Sequence, residues 1–149
     1  MEILIENQQQ LRAIPNEMLK KTAAAILDAL DCPEGELSLL IVDDAQIAAL
    51  NQQYRQRTGP TNVLAFALQE GAFTEIAPHL LGDVVISVET CAREARTAGI
   101  GFDRHFDELL VHGILHLFGY DHERSEEDDR RMRAKTEALL QTLASASGA

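Results

Sequence analysis

The stretch HGILHLFGYDH, from His112 to His122, carries three of the five histidines in a chain of 149 residues. On a helix, His112 and His116 lie four residues apart and point within about 40° of each other, so both imidazoles can reach one ion. Gly119 is a natural end for that helix, since it takes a left-handed conformation that a side chain resists. The chain then turns back within three residues and brings His122 towards the same point. Three neutral imidazoles with an open fourth position describe a catalytic zinc site; a structural site is normally closed by a fourth protein ligand, often cysteine. Neither Cys32 nor Cys91 is near in sequence. A lone helical histidine reads best as an ordinary polar residue, but the pattern His-x3-His-x2-Gly-x2-His favours a metal site.

The residue after the first histidine narrows the chemistry. The same spacing occurs in HExxHxxGxxH metalloproteases, whose glutamate at that place is the general base. Here the place is taken by Gly113, which has no side chain for the task. The expectation is a metal site without protease chemistry, with a water acidified by the ion as nucleophile. Glu108 and His105 continue the helical stripe towards the N-terminus. Glu108 either orients His112 or, the commoner outcome, faces solvent. His105 and His79 are not expected to be ligands.

A net charge of −11 argues against indiscriminate nucleic-acid binding, but the charge is uneven. No acid occurs from Ala45 to Gln69, and Arg55 and Arg57 sit in that window; DHERSEEDDR (121–130) is dense in acids. Arg93, Arg96 and Arg104 make a second, mixed cluster. The apolar fraction of 46% and charged fraction of 25% are ordinary, and the length suits one domain with a real core. No apolar run approaches the ~20 residues of a membrane span. The opening MEILIENQQQ does not read as a secretory signal. Two distant cysteines without a CxxC read as reduced thiols of a cytosolic protein, not as a disulfide.

The elements that must position these residues follow from pattern. MEILIEN alternates as a first strand. Asn16 caps a helix to about Leu30, with Met18, Leu19, Thr22, Ala23, Ile26, Leu27 and Leu30 on one face. ELSLLIV (36–42) is a second strand whose near-continuous apolar run suggests burial on both faces. Asp43 or Asp44 caps a helix to about Gln53, and RTGPT is a turn. NVLAFAL (62–68) is a third strand, 69–80 a loop, and GDVVISV (82–88) a fourth strand. A helix spans 89–98 and ends at Gly99. Asp103 caps a helix over 104–118, and Ser125 caps the last, to about Leu143, its acidic opening turns and basic middle suiting the dipole. Residues 144–149 read as a flexible tail. The order implies a single domain over 1–149, α/β or α+β, with four strands and about five helices.

With its elements placed, HGILHLFGYDH is similar to the HGxLHLxGYDH signature of the YbeY family, bacterial metal-dependent endoribonucleases of ribosomal RNA maturation. DDAQIAALNQQYRQRTGPTNVLAF resembles the family's DDxxIxxLNxxYRxxxxPTDVLSF region, and LLGDVVISVET its LGDIxIS strand. The resemblance covers most of the chain. It implies a small mixed sheet with helices packed around it and a metal in a cleft. It places one zinc ion per chain on His112, His116 and His122, and a functional arginine at Arg55. It also implies cytoplasmic work on single-stranded ribosomal RNA, at the 3′ end of the small-subunit RNA and in ribosome quality control, with a ribosomal protein or assembly GTPase as partner. Asn62 stands where the family pattern has aspartate, and Ala65 where it has serine; Asn keeps hydrogen bonding but loses charge, so no base is assigned there.

In that frame, zinc polarises a phosphoryl oxygen and Arg55 grips the phosphate with two parallel hydrogen bonds. By itself Arg55 reads better as a surface charge at a helix end, well placed on the dipole; the resemblance is what favours a functional role. Arg57 and Arg93 are weaker candidates for the RNA backbone and read first as ordinary solvated charges. Asp121 either orients an imidazole or relays a proton or forms the turn, and Tyr120 packs. Aromatic stacking platforms are sparse, with Tyr54, Phe66 and Phe73 the few near the basic window, so a protein partner is expected to supply binding surface. Two other readings compete: a non-enzymatic assembly factor with a structural metal, and a metalloprotease-like hydrolase, which Gly113 disfavours.

Overall fold

The computed structural model describes residues 2–68, 79–120 and 125–147. Four strands and five helices follow in the order β1 (Glu2–Asn7), α1 (Asn16–Ala29), β2 (Glu36–Val42), α2 (Asp44–Arg55), β3 (Val63–Ala67), β4 (Leu80–Ser87), α3 (Val88–Ala98), α4 (Phe102–Leu117) and α5 (Glu126–Ser147). The fold is α+β, with one mixed sheet in the order β1-β2-β4-β3. β1, β2 and β4 run parallel, and β3 closes one side antiparallel to β4. β3 is therefore an edge strand.

Strand alternation divides the core between the sheet's two faces. Leu37, Leu39, Ile41, Val84 and Ile86 join residues of α1, α3, α4 and α5 in the main cluster, including Leu27, Cys91, Leu110, Ile114 and Met132. On the other face, Val42, Leu64 and Val85 meet Ile47 of α2. That second cluster is small. Ser38 and Leu40 remain only half-buried, so β2 is covered fully on one face and only in part on the other. The near-continuous apolar run of β2 predicts full cover on both faces; one short helix on that side is too little to provide it.

Element boundaries moved where local chemistry was weak. β4 starts at Leu80, because a register shift against Glu36 and Leu37 inserts Leu81 as an extra residue, hiding the strand from a strict period of two. Asn16, expected as the cap of α1, is its first helical residue after Pro15, and of the expected apolar face only Leu19, Ala23, Ile26 and Leu27 are buried. Gly101 precedes α4, leaving Asp103 in its first turn, where its charge still suits the dipole. Asp43 caps α2 in a reciprocal capping box with Gln46. α5 continues to Ser147, so residues 144–147, expected in a tail, prolong the helix. Both cysteines are free.

Candidate active site

A cleft of about 640 Å3 opens along the free edge of β3. Its walls are the end of α2 with the turn that follows (Asn51, Arg55, Arg57, Pro60), β3 itself with Asn62, and His112, Gly113 and His116 of α4. No described residue lining it is an acid, which is notable in a chain of net charge −11.

Gly113 explains how α4 reaches this place. A Cβ there would stand 2.6 Å from Val84 Cγ1 and 3.1 Å from Val63 Cγ2, closer than atoms pack. The glycine lets the helix lie directly on β3 and β4, with a histidine three residues after it and another just before. A glutamate at 113 has no room, so the sequence expectation that protease chemistry is missing has a steric basis. Past the end of α4, Gly119 has φ +92°, the left-handed turn that the helix end needs.

His112 and His116 converge. Their Nε2 atoms are 3.1 Å apart and their rings meet edge to face at 68°. Two ligands of a tetrahedral zinc at ~2.0–2.1 Å would be separated by roughly 3.3 Å, so the pair fits a shared ion. His122, with Asp121, lies outside the described residues, as does Phe73.

Arg55 ends α2 and reaches across to β3, where its Nη2 donates to the Ala65 carbonyl at 2.6 Å and its guanidinium lies 5.0 Å from the Phe66 ring. Among the described residues one of its five donors is used, and the side chain lines the cleft. The Ala65 carbonyl faces outward because Ser87 N donates to Asn62 O, which turns Val63, Ala65 and Ala67 to the open edge of an antiparallel pair. Buried Asn51 holds the lip: its side chain donates to Gly59 O at 3.0 Å, and its carbonyl accepts from Arg57 N. Tyr54 stacks edge-on against Phe66 at 5.4 Å and is exposed.

Several other candidates are occupied elsewhere. Arg93 pairs with Asp44 at 3.1 Å and Glu108 with Arg104 at 3.8 Å. His79 faces Glu36, and His105 bonds Glu94 at 2.8 Å, so neither belongs to the histidine pair. Tyr120 packs against the core as expected. Residue-by-residue reading missed Asn51 and the link between Asn62 and Glu94, since their partners are 8 and 32 residues away. A buried asparagine at a helix end beside a Gly-Pro turn was the available signal for the first; nothing local signalled the second.

The family model described as endoribonuclease YbeY matches residues 4–144. The chain belongs to the endoribonuclease YbeY family. Curated YbeY endoribonucleases are similar throughout: that of Syntrophotalea carbinolica is 53% identical over 139 residues, covering 93% of each chain, and that of Geobacter sulfurreducens 46% identical over 144 residues, 96% of each. A Thermotoga maritima protein with a known solution structure shares the fold at a TM-score of 0.69 and 26% identity, over 97% of this chain and 90% of its own. YbeY membership makes the reaction class that of a nuclease, a phosphodiester hydrolase.

Proposed function

We propose that the cleft is the active site of a metal-dependent endoribonuclease for single-stranded ribosomal RNA, with Arg55, His112, His116 and His122 as its working residues. The observation that carries the reading is the convergence of the His112 and His116 Nε2 atoms at 3.1 Å on the floor of a cleft walled by two arginines and no described acid. These two imidazoles and that of His122 would hold one zinc ion. The chemistry supplied by such an ion, when bound, is Lewis acidity.

The chain's own residues do the rest. Arg55, anchored on β3, presents its remaining N–H donors to a phosphate and offsets the charge that grows on its oxygens. Arg57, whose backbone N–H is held by the Asn51 carbonyl, adds a second cation at the lip. The edge amides of Val63, Ala65 and Ala67 line the same wall and can donate to an anionic backbone. Two cations and few exposed rings hold RNA weakly, which favours a substrate delivered on the ribosome, by a ribosomal protein or an assembly GTPase, in the cytoplasm. Processing at the 3′ end of the small-subunit RNA and ribosome quality control are the settings this reading favours.

The test is cleavage of a ribosomal RNA fragment by purified protein, by His116→Ala and by a chelated sample, with metal content measured on each. The expected result is cleavage that tracks bound metal and is lost, by at least about a hundredfold, in a folded variant. Cleavage that survives both treatments overturns metal dependence. A variant that loses its fold along with its metal supports the assembly factor with a structural ion instead.

A further inference from the structure

We infer that Asn62 is a substrate-contacting residue of the cleft, offering its Oδ1 as acceptor to an O–H or N–H group of the RNA, and that Glu94 and His105 are positioning residues acting through it. The inference rests on the cleft being an RNA site.

Asn62 lines the cleft beside β3. Its Nδ2 donates to both oxygens of Glu94, at 3.1 and 3.3 Å. A carboxylate only accepts, so the amide has one orientation: nitrogen towards Glu94 and oxygen away from it. That oxygen accepts no hydrogen bond from the described residues, and it is not buried. Glu94 would be a mobile acid on α3, with 41% of its side chain exposed, but its Oε1 is tied to His105 Nε2 at 2.8 Å. His105 is itself held inside, 15% exposed. Its Nδ1 is buried without a partner, so Glu94 is what fixes the ring. A line of contacts thus runs from α4 through α3 to the cleft and ends on an oriented acceptor.

An oriented side-chain acceptor complements the two arginines of this wall. Arg55 and Arg57 donate, and phosphate oxygens only accept, so the arginines answer the backbone. A fixed acceptor cannot bind phosphate; it answers groups that donate, either the ribose 2′-hydroxyl or a base amino group. Asn62 therefore reads sugar or base while the arginines hold charge.

The experiment measures RNA binding by fluorescence anisotropy and steady-state cleavage of a single-stranded oligonucleotide. It uses the metal-loaded wild type, N62A, E94Q and the double variant N62A/E94Q. Matched oligonucleotides lack either the 2′-hydroxyls or the exocyclic amino groups. N62A and E94Q are each expected to raise Kd and KM about five- to tenfold, with kcat changed less. The double variant should be no worse than N62A, because Glu94 acts on substrate only through Asn62. One modified oligonucleotide should lose the same factor on the wild type and nothing on N62A; which one it is assigns ribose or base. N62S, which shortens the side chain and withdraws the acceptor, replaces N62A if the latter unfolds. Wild-type cleavage with N62A unaffected overturns the inference, as does an E94Q cost that persists in the N62A background, since Glu94 would then be structural. A wild type that neither binds nor cuts RNA overturns the reading of the cleft together with the inference.

Discussion

Gly113 shows how one residue can be read twice. In sequence it is the absence of a base; in three dimensions it is a contact surface, with Val84 2.6 Å from where a Cβ would be. Inside a helix, Gly→Ala normally gains about 1 kcal/mol, whereas overpacking costs about 1–3 kcal/mol. Gly113→Ala should therefore destabilise by about 1 kcal/mol in urea unfolding, and in a Val84→Ala background it should stabilise. The same sign in both backgrounds would refute the steric account. Cys91 gives a second residue-level expectation. Burial, and then the nearby charge of Glu94, push its thiol up to about 12, so the reactive thiolate is scarce at pH 8. Native protein should take up one equivalent of alkylating reagent, at half-buried Cys32, and unfolded protein two. Rapid native labelling of Cys91 would contradict its burial.

Between elements, a polar clasp joins α2 to α3. Asp44 accepts from Ser87 at 2.7 Å and Thr90 at 2.6 Å, and pairs with Arg93. Burial alone raises the Asp44 carboxyl, but the hydrogen bonds from Thr90, Ser87 and Arg93 and the arginine's charge outweigh it, so the group titrates below its ordinary 3.8. A lowered folded pKa stabilises above the unfolded value, and the gain is lost as pH falls through the folded one. Asp44→Asn should cost about 1–2 kcal/mol at pH 7, the gap to wild type closing as pH drops below 3.8. Asp107 on α4 has the opposite sign. Burial, and then Asp103, push it up to about 6, so its ionisation opposes folding; the cost is absent below 3.8, grows up to about 6 and is constant above. Asp107→Asn should stabilise by about 1–2 kcal/mol at pH 8, discounted for partial exposure, and by nothing near pH 3.5. Denaturant titrations at both pH values decide each case. Neither clasp nor burial was legible locally, because Asp44 and Thr90 are 46 residues apart.

Over the whole molecule, charge is sorted. The chain carries −11, yet the described lining of the cleft has arginines and no acid. Arg93, a candidate grip in sequence, is spent on Asp44, which leaves Arg55 and Arg57. Two phosphate contacts on a single strand release few counterions, so log K for RNA should fall with log salt at a slope of only about −1.4. A slope near −5 in anisotropy titrations across salt concentration would mean a larger basic surface than this cleft. No described helix is long and apolar enough to cross a membrane.

What sequence alone determined was whatever is encoded locally. The α+β class and the succession of elements followed from periods and caps, and the metal-type spacing of His112 and His116 from one helical turn. The likeness of HGILHLFGYDH to a family signature set the family. What only the tertiary structure decided was everything set by distant pairing. Antiparallel β3 at the sheet edge made the cleft, close approach of α4 at Gly113 gave the histidines their depth, and long-range hydrogen bonds sent Arg93 to Asp44 and Asn62 to Glu94. Helical neighbours are fixed by a rise of 1.5 Å per residue, whereas partners 32 to 49 residues apart meet only after the sheet has set its order and register.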